Sequence, residues 1–338
     1  MEENELLEFM TEPSSRLITD IKKIDDDILI LGCGGKIGPS LAIMAKRAMV
    51  MAGLDRRVVG VSVFDNEDTP QKMKAAGVEV IEADLSDPKQ VAALPNIKHI
   101  IYMIGRKFGT YNDPSQTWAI NVLIPVKICE AYPTAKIVAF STGNVYQYAS
   151  IESGGACEED IPVPVGEYGL TALGRERVFE HYASVNKNKV LLFRLNYAID
   201  LRYGVLFDLA KDILNGKPIN AGVGYFNCIW QGDVCEYAIR SLLHCSNPPS
   251  ILNVSGPESI GIRWAARKMG ELLGCDPIFA EGPDPKKALF SNTTKMTSLM
   301  GYPNMPLLSM MQMVADWVKS GGSTINAPTH FETTDGNF

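Results

Sequence analysis

A continuous apolar run, "DILIL" (27–31), passes directly into "GCGGKIGPS" (32–40), and a segment of helical length, 39–53, follows. A short run of this kind suits a strand covered on both faces. Its glycines at 32, 35 and 38 have a chemical reason for their spacing. The first permits a tight turn, the second lets the backbone approach a pyrophosphate, and the third lets helix and strand pack closely. Phosphates at such a turn meet free N–H groups and the positive end of a helix dipole. The stretch predicts a dinucleotide site built from Gly32, Gly35, Lys36, Ile37 and Gly38. The plainer alternative is a glycine-rich turn that merely connects two elements.

Five more runs of strand length follow: 58–64, 78–83, 99–104, 136–141 and 189–195. Helix-like segments such as 39–53 and 115–132 separate them, and alternation of this kind predicts an α/β fold with a doubly wound parallel Rossmann sheet. Met44, Met49 and Met51 are read as packing against that sheet, since thioethers fill irregular gaps. After residue 196 the pattern loosens, and 204–216, 235–244 and 262–274 read as amphipathic helices. The expected division is a dinucleotide-binding domain over 1–196, opening with a short helical leader. A smaller substrate-binding lobe over 197–320 is woven back onto it, and 321–338 forms a polar tail. That tail is either disordered or an arm that orders against another surface.

Composition narrows the function classes. The chain has 338 residues, 46% hydrophobic and 21% charged, which allows a sizeable core. A net charge of −7 argues against a nucleic-acid partner. The seven cysteines form no CxxC pair, and Cys129 and Cys245 read as small buried hydrophobes. His99, His181, His244 and His330 show no metal-ligand spacing, so no metal is expected. The start is acidic where a signal peptide would be basic, and no apolar run reaches the ~18 residues of a membrane span. A cytoplasmic protein without a membrane partner is the expectation.

Several separate stretches then carry a likeness. "GEYGLTALGRE" (166–176) resembles the active-site helix of a nucleotide-sugar dehydrogenase, and "AFSTGNVY" (139–146) resembles an "SSxxVYG" stretch. "ADLSD" (83–87), "MIG" (103–105), 253–274 and 299–318 extend the likeness. Together they resemble an extended short-chain dehydrogenase/reductase of the NAD-dependent epimerase/dehydratase family, over about residues 27 to 320. The resemblance implies Tyr168 as acid or base and Thr142 as the hydroxyl that holds the substrate oxygen. It places Asp84 and Leu85 at the adenine, Met103 and Gly105 at the nicotinamide ribose, and Asn144 and Asn196 at the substrate. Asn196 and Tyr168 also fall to the cofactor. Apart from the resemblance, Arg202 is a candidate to meet a substrate phosphate or carboxylate, the plainer alternative being a side chain that faces water. NAD-preferring members carry an acid where Ser62 stands, and Asp65 lies three residues on. No arginine is placed for a 2′-phosphate, so the reading leans to NAD with NADP left open.

The departure is Ala172, because the family carries a lysine four residues after its tyrosine. An ammonium ~5 Å away at an effective dielectric of ~20 is worth roughly 3 kcal/mol, about two pKa units on a tyrosine. Lys107, in the loop after the fourth strand, is the first candidate to replace it, and Arg175, seven residues after Tyr168, the second. The leading expectation is an NAD(P)-dependent oxidoreductase or epimerase acting on a sugar, sugar acid or nucleotide sugar. The rival is a non-catalytic dinucleotide-binding sensor or scaffold. The resemblance further implies a homodimer, with the helix at 115–132 and the helix after Tyr168 at the interface.

Overall fold

The computed structural model describes residues 1–282, 287–325, 329, 331 and 336. Seven strands form one parallel sheet: β1 (Ile28–Leu31), β2 (Val58–Ser62), β3 (Glu79–Glu82), β4 (His99–Tyr102), β5 (Lys136–Thr142), β6 (Lys189–Leu195) and β7 (Ser250–Val254). Their order is β7-β6-β5-β4-β1-β2-β3, with Ile28 beside Val58 on one side and His99 on the other. The chain therefore winds both ways from β1 and β4. The carboxyl ends of these two strands bound the crevice where ligands bind in such sheets.

All four side chains of β1 have no exposed surface, as a strand covered on both faces requires. On one face Leu41, Ala45 and Ala48 of helix Gly38–Met51 pack with Ile28, Ile30 and Val58. On the other, Phe179 and Ala183 of helix Gly166–Asn186 pack with Leu29, Tyr102 and Leu192. Each of the larger aliphatic and phenylalanine side chains contributes about 1.5–3 kcal/mol by leaving water, and each alanine about 1 kcal/mol or less. Met44 and Met49 join the first core, but Met51 is exposed, because it lies in the helix's last turn, beyond the sheet. Cys129 is buried as expected, while Cys245 keeps part of its surface.

The leader forms helices Glu3–Met10 and Ser15–Asp20 and a 3-10 turn. Glu2 and Glu5 cap the first reciprocally, and the Ser14 hydroxyl accepts from the Leu17 amide to start the second. Leu6 and Met10 enter a separate core made by helices Val205–Leu214, Ile262–Leu273 and Leu307–Lys319. Phe331 joins the same core. His330 and most of the tail lie outside the described residues. Among the described residues no helix is long and apolar enough to cross a membrane.

Candidate cofactor and reaction site

The glycine turn follows β1 into the crevice. Gly32 has φ +86, and a Cβ there would stand 2.9 Å from the Ile104 amide nitrogen. At Gly38 a Cβ would be driven into the Cys33 carbonyl, so that glycine permits the close helix–strand approach. Gly35 is different, because a Cβ there would meet only the Gly32 carbonyl oxygen, at 3.7 Å. The space beyond it is open, and this open cradle at a helix start fits a dinucleotide pyrophosphate.

Two cavities meet at the turn. The larger, of 420 Å³, is lined by Gly34, Gly35 and Ser40, by Asp65, Asp68 and Lys72 after β2, and by Glu3, Arg202 and Ile325. The second, of 220 Å³, gathers residues from the ends of several strands. Ile37 comes from the turn, Met103, Gly105 and Lys107 from the loop after β4, and Thr142 and Asn144 from the end of β5. Tyr168 and Arg175 come from helix Gly166–Asn186, Asn196, Tyr197 and Tyr203 from the chain after β6, and Thr329 from the tail. Lys36 lines both cavities.

The second cavity holds the elements of acid–base chemistry. Thr142 Oγ1 accepts from the Asn144 amide at 3.2 Å and from its Nδ2 at 3.0 Å, so its own hydrogen remains available to donate. Behind it Ser141 donates to Glu176 at 2.5 Å, and Arg194 grips both oxygens of Glu176 at 2.9 and 2.7 Å. Arg194 also donates to the Tyr146 hydroxyl, which donates to Asn253 Oδ1 at 2.8 Å. This buried chain ties β5, β6, β7 and the Tyr168 helix together. Removing one member of such an ion pair costs about 3–5 kcal/mol. The wall is correspondingly rigid.

Ala172 has no exposed surface and packs with Val145, Tyr146 and Ala156, away from the cavity. The two expected cations both line the cavity. Arg175 donates from Nη1 to the Ile104 carbonyl at 2.7 Å, and its Nε is buried without a hydrogen-bond partner. Lys107 is crowded by protein atoms, and this desolvation lowers its pKa to about 8 against the opposing pull of Asp208.

The other expected residues divide between the cavities and positions that line neither. Arg202 lines the larger cavity, not the reaction cavity, and is held by Asp200 at 3.1 and 2.7 Å. Ser62 turns its hydroxyl to the Val63 carbonyl at 2.9 Å and contributes no surface to either cavity. Asp65 does line the larger cavity, whereas Asp84 and Leu85 line neither. Asp84 is engaged locally, accepting from the Ser86 amide at 2.8 Å. Asn196 donates to Asn227 and to the Leu289 carbonyl, which anchors it to the lobe.

Lys36 was expected in the dinucleotide site though its reach was not, and Tyr203 and Thr329 were not singled out. The Lys36 side chain reaches into the reaction cavity, Tyr203 flanks it, and Thr329 closes one side while its amide donates to Asp208 at 3.0 Å. Asn121 was also missed. It sits in a π-turn, Ala119–Leu123, and its side chain clasps the Arg106 amide at 2.7 Å and carbonyl at 3.0 Å. Such turns often mark functional sites, and this one fixes the loop that carries Lys107. A polar residue inside an apolar helical run was the available signal. Among the described residues no group of His, Cys, Asp or Glu could hold a metal ion.

A doubly wound sheet with an open glycine cradle at its switch point defines a dinucleotide-binding α/β protein. The family model described as "NAD dependent epimerase/dehydratase family" matches residues 28–246, and the chain belongs to that family. No curated protein matches the sequence. Solved structures share its fold. MoeE5 in complex with UDP-glucose and NAD is 20% identical, with TM-score 0.69 over 87% of this chain and 99% of that one. UDP-glucuronic acid 4-epimerase from Bacillus cereus in complex with NAD is 19% identical with TM-score 0.70, again over 87% and 99%. UDP-glucose 4-epimerase with UDP-glucose from Thermotoga maritima is 16% identical with TM-score 0.71 over the same shares.

Proposed function

We propose that this member of an NAD-dependent family acts on a sugar, sugar acid or nucleotide sugar, with Tyr168 moving the proton and Thr142 holding the substrate oxygen. The observation that carries the reading is that both line one cavity, beside the loop after β4 and next to the glycine cradle. Bound NAD supplies the hydride acceptor. Gly35 and the start of helix Gly38–Met51 would hold its pyrophosphate, Asp65 lies on the side of its adenosine ribose, and Met103 and Gly105 would meet its nicotinamide half. Thr142 donates to the substrate oxygen and orients it towards Tyr168, the general acid or base. Arg175 and Lys107 provide positive charge where negative charge develops on those oxygens.

Ala172 favours the second reading, a binding protein without turnover, because its apolar packing leaves no lysine in the usual place. Two cations that line the same cavity answer that objection. A panel of sugars, sugar acids and nucleotide sugars, followed by nicotinamide absorbance and by product analysis, tests the proposal. Tyr168→Phe is expected to lower turnover at least about a hundredfold while NAD still binds. Undiminished turnover in that variant removes Tyr168 from the mechanism. Tight NAD binding with no product from any substrate returns the binding-protein reading.

A further inference from the structure

We infer that Lys36, from the glycine turn, supplies the cofactor-side positive charge that the absent helix lysine would carry, closing on NAD where its pyrophosphate meets the nicotinamide ribose. The inference rests on the reading of this crevice as an NAD site. Lys36 is the residue common to both cavities, one bounded by the pyrophosphate cradle and the other by Tyr168. Its ammonium donates to the Ala198 carbonyl at 3.2 Å and stands 3.9 Å from the centre of the Tyr203 ring. A carbonyl and an aromatic face orient a cation without neutralising it. The other cations serve less well. Arg175 and Lys107 line only the reaction cavity, not the one bounded by the pyrophosphate cradle.

The surroundings of Lys36 give the idea a measurable consequence. Lys36 as a whole is part-exposed, yet protein atoms crowd its ammonium, and this desolvation is the largest influence lowering its pKa to about 7. From the chain after β6, Asp200 pulls the value up and Arg202 pushes it down. Lys107, from the loop after β4, also pushes it down. Cys235, on helix Gln231–Ser241, pulls it up weakly, since burial raises that thiol to about 12 and keeps it neutral. Tyr203 is likewise kept neutral by burial. Glu3, Asp65, Asp68 and Lys72 face the larger cavity. At pH 8, about a unit above that value, the free protein holds Lys36 mostly neutral. A pyrophosphate beside it favours the charged form, so binding should draw in a proton.

Calorimetry of NAD binding at pH 8, in two buffers of different ionisation enthalpy, reads that proton directly. The expected result is uptake of about one proton per NAD by the wild-type protein. Lys36→Met should bind at least about tenfold more weakly at pH 6.5 and take up none. Lys36→Arg keeps the charge at every pH, so it should retain affinity and still take up no proton. Wild-type affinity with unchanged proton uptake in Lys36→Met overturns the inference and leaves the NAD site standing. If Lys36→Met does not fold, proton uptake equal to wild type in Lys36→Arg overturns it instead. Failure of the wild-type protein to bind NAD at either pH overturns both.

Discussion

Lys107 and Arg175 enter the reaction cavity from different elements, and their partners make them unequal. Arg175 is fixed by the Ile104 carbonyl at 2.7 Å, so it supports the loop as well as the cavity. Lys107 stands nearer a titration point, since burial brings its pKa down to about 8. A depressed lysine is charged below its folded pKa and neutral above it. If its charge assists Tyr168, turnover should fall as pH rises through about 8. Lys107→Met should lower turnover more than about tenfold at pH 7 and remove that limb of the pH–rate profile. A full-rate variant with an unchanged profile would exclude Lys107 from the mechanism. Tyr168 and Thr142 were legible through stretches that resemble the family, and Lys107 and Arg175 through their spacing after a strand and along one helix; all four line the reaction cavity. The reach of Lys36 was not. In a turn the backbone position is local, but the direction of a long side chain is decided by what the rest of the fold places around it.

At the scale of elements, local pattern located six strands, each inside its apolar run or at most one residue beyond it. Five are largely buried, and β3, at one edge of the sheet, is half-exposed. The seventh strand, Ser250–Val254, escaped because "SILNV" sets a serine and an asparagine among its apolar residues, so no continuous apolar run marks it. Its Asn253 amide is satisfied by Glu158, a contact that only the tertiary fold provides. The helix expected over 115–132 divides into Pro114–Trp118, the π-turn and Ile124–Ala131. Periodicity cannot report one extra residue in a turn, and here the cause is the clasp of Asn121 on residue 106. The glycine turn is the element that sequence described most fully, and it gives a separable prediction. A side chain at Gly35 meets no protein atom closer than 3.7 Å but projects into the cradle. Gly35→Val should therefore keep its thermal unfolding within a few degrees of wild type and lose most NAD affinity in calorimetry. Normal binding by that variant would show that no pyrophosphate lies there.

The solved neighbours match 87% of this chain and 99% of their own, so roughly an eighth of this chain lies beyond the shared fold. Leader and tail both return to the crevice, since Glu3 and Ile325 line the larger cavity and Thr329 the reaction cavity. The far side of the sheet is left open to another use. Helices Ile124–Ala131 and Gly166–Asn186 pack on each other, with Trp118 beside them donating to Glu167 at 2.8 Å. Along this pair and the turn of helix that precedes it, Trp118, Leu123 and Leu170 are exposed. A Cβ on Gly174 would stand 3.0 Å from Val122, so this glycine permits the close approach of the π-turn to helix Gly166–Asn186. A stable interface needs about 800 Å² from each partner, with a well-packed apolar centre. We propose that this helix pair forms a two-fold dimer interface. Light scattering at micromolar concentration should give twice the 37.0 kDa chain mass. Leu123→Glu should shift the particle towards the monomer, because the charge would be buried twice across the two-fold axis without a partner. A wild-type particle of single-chain mass would end the proposal. A dimer indifferent to Leu123→Glu and Leu170→Glu together would move the interface to another face.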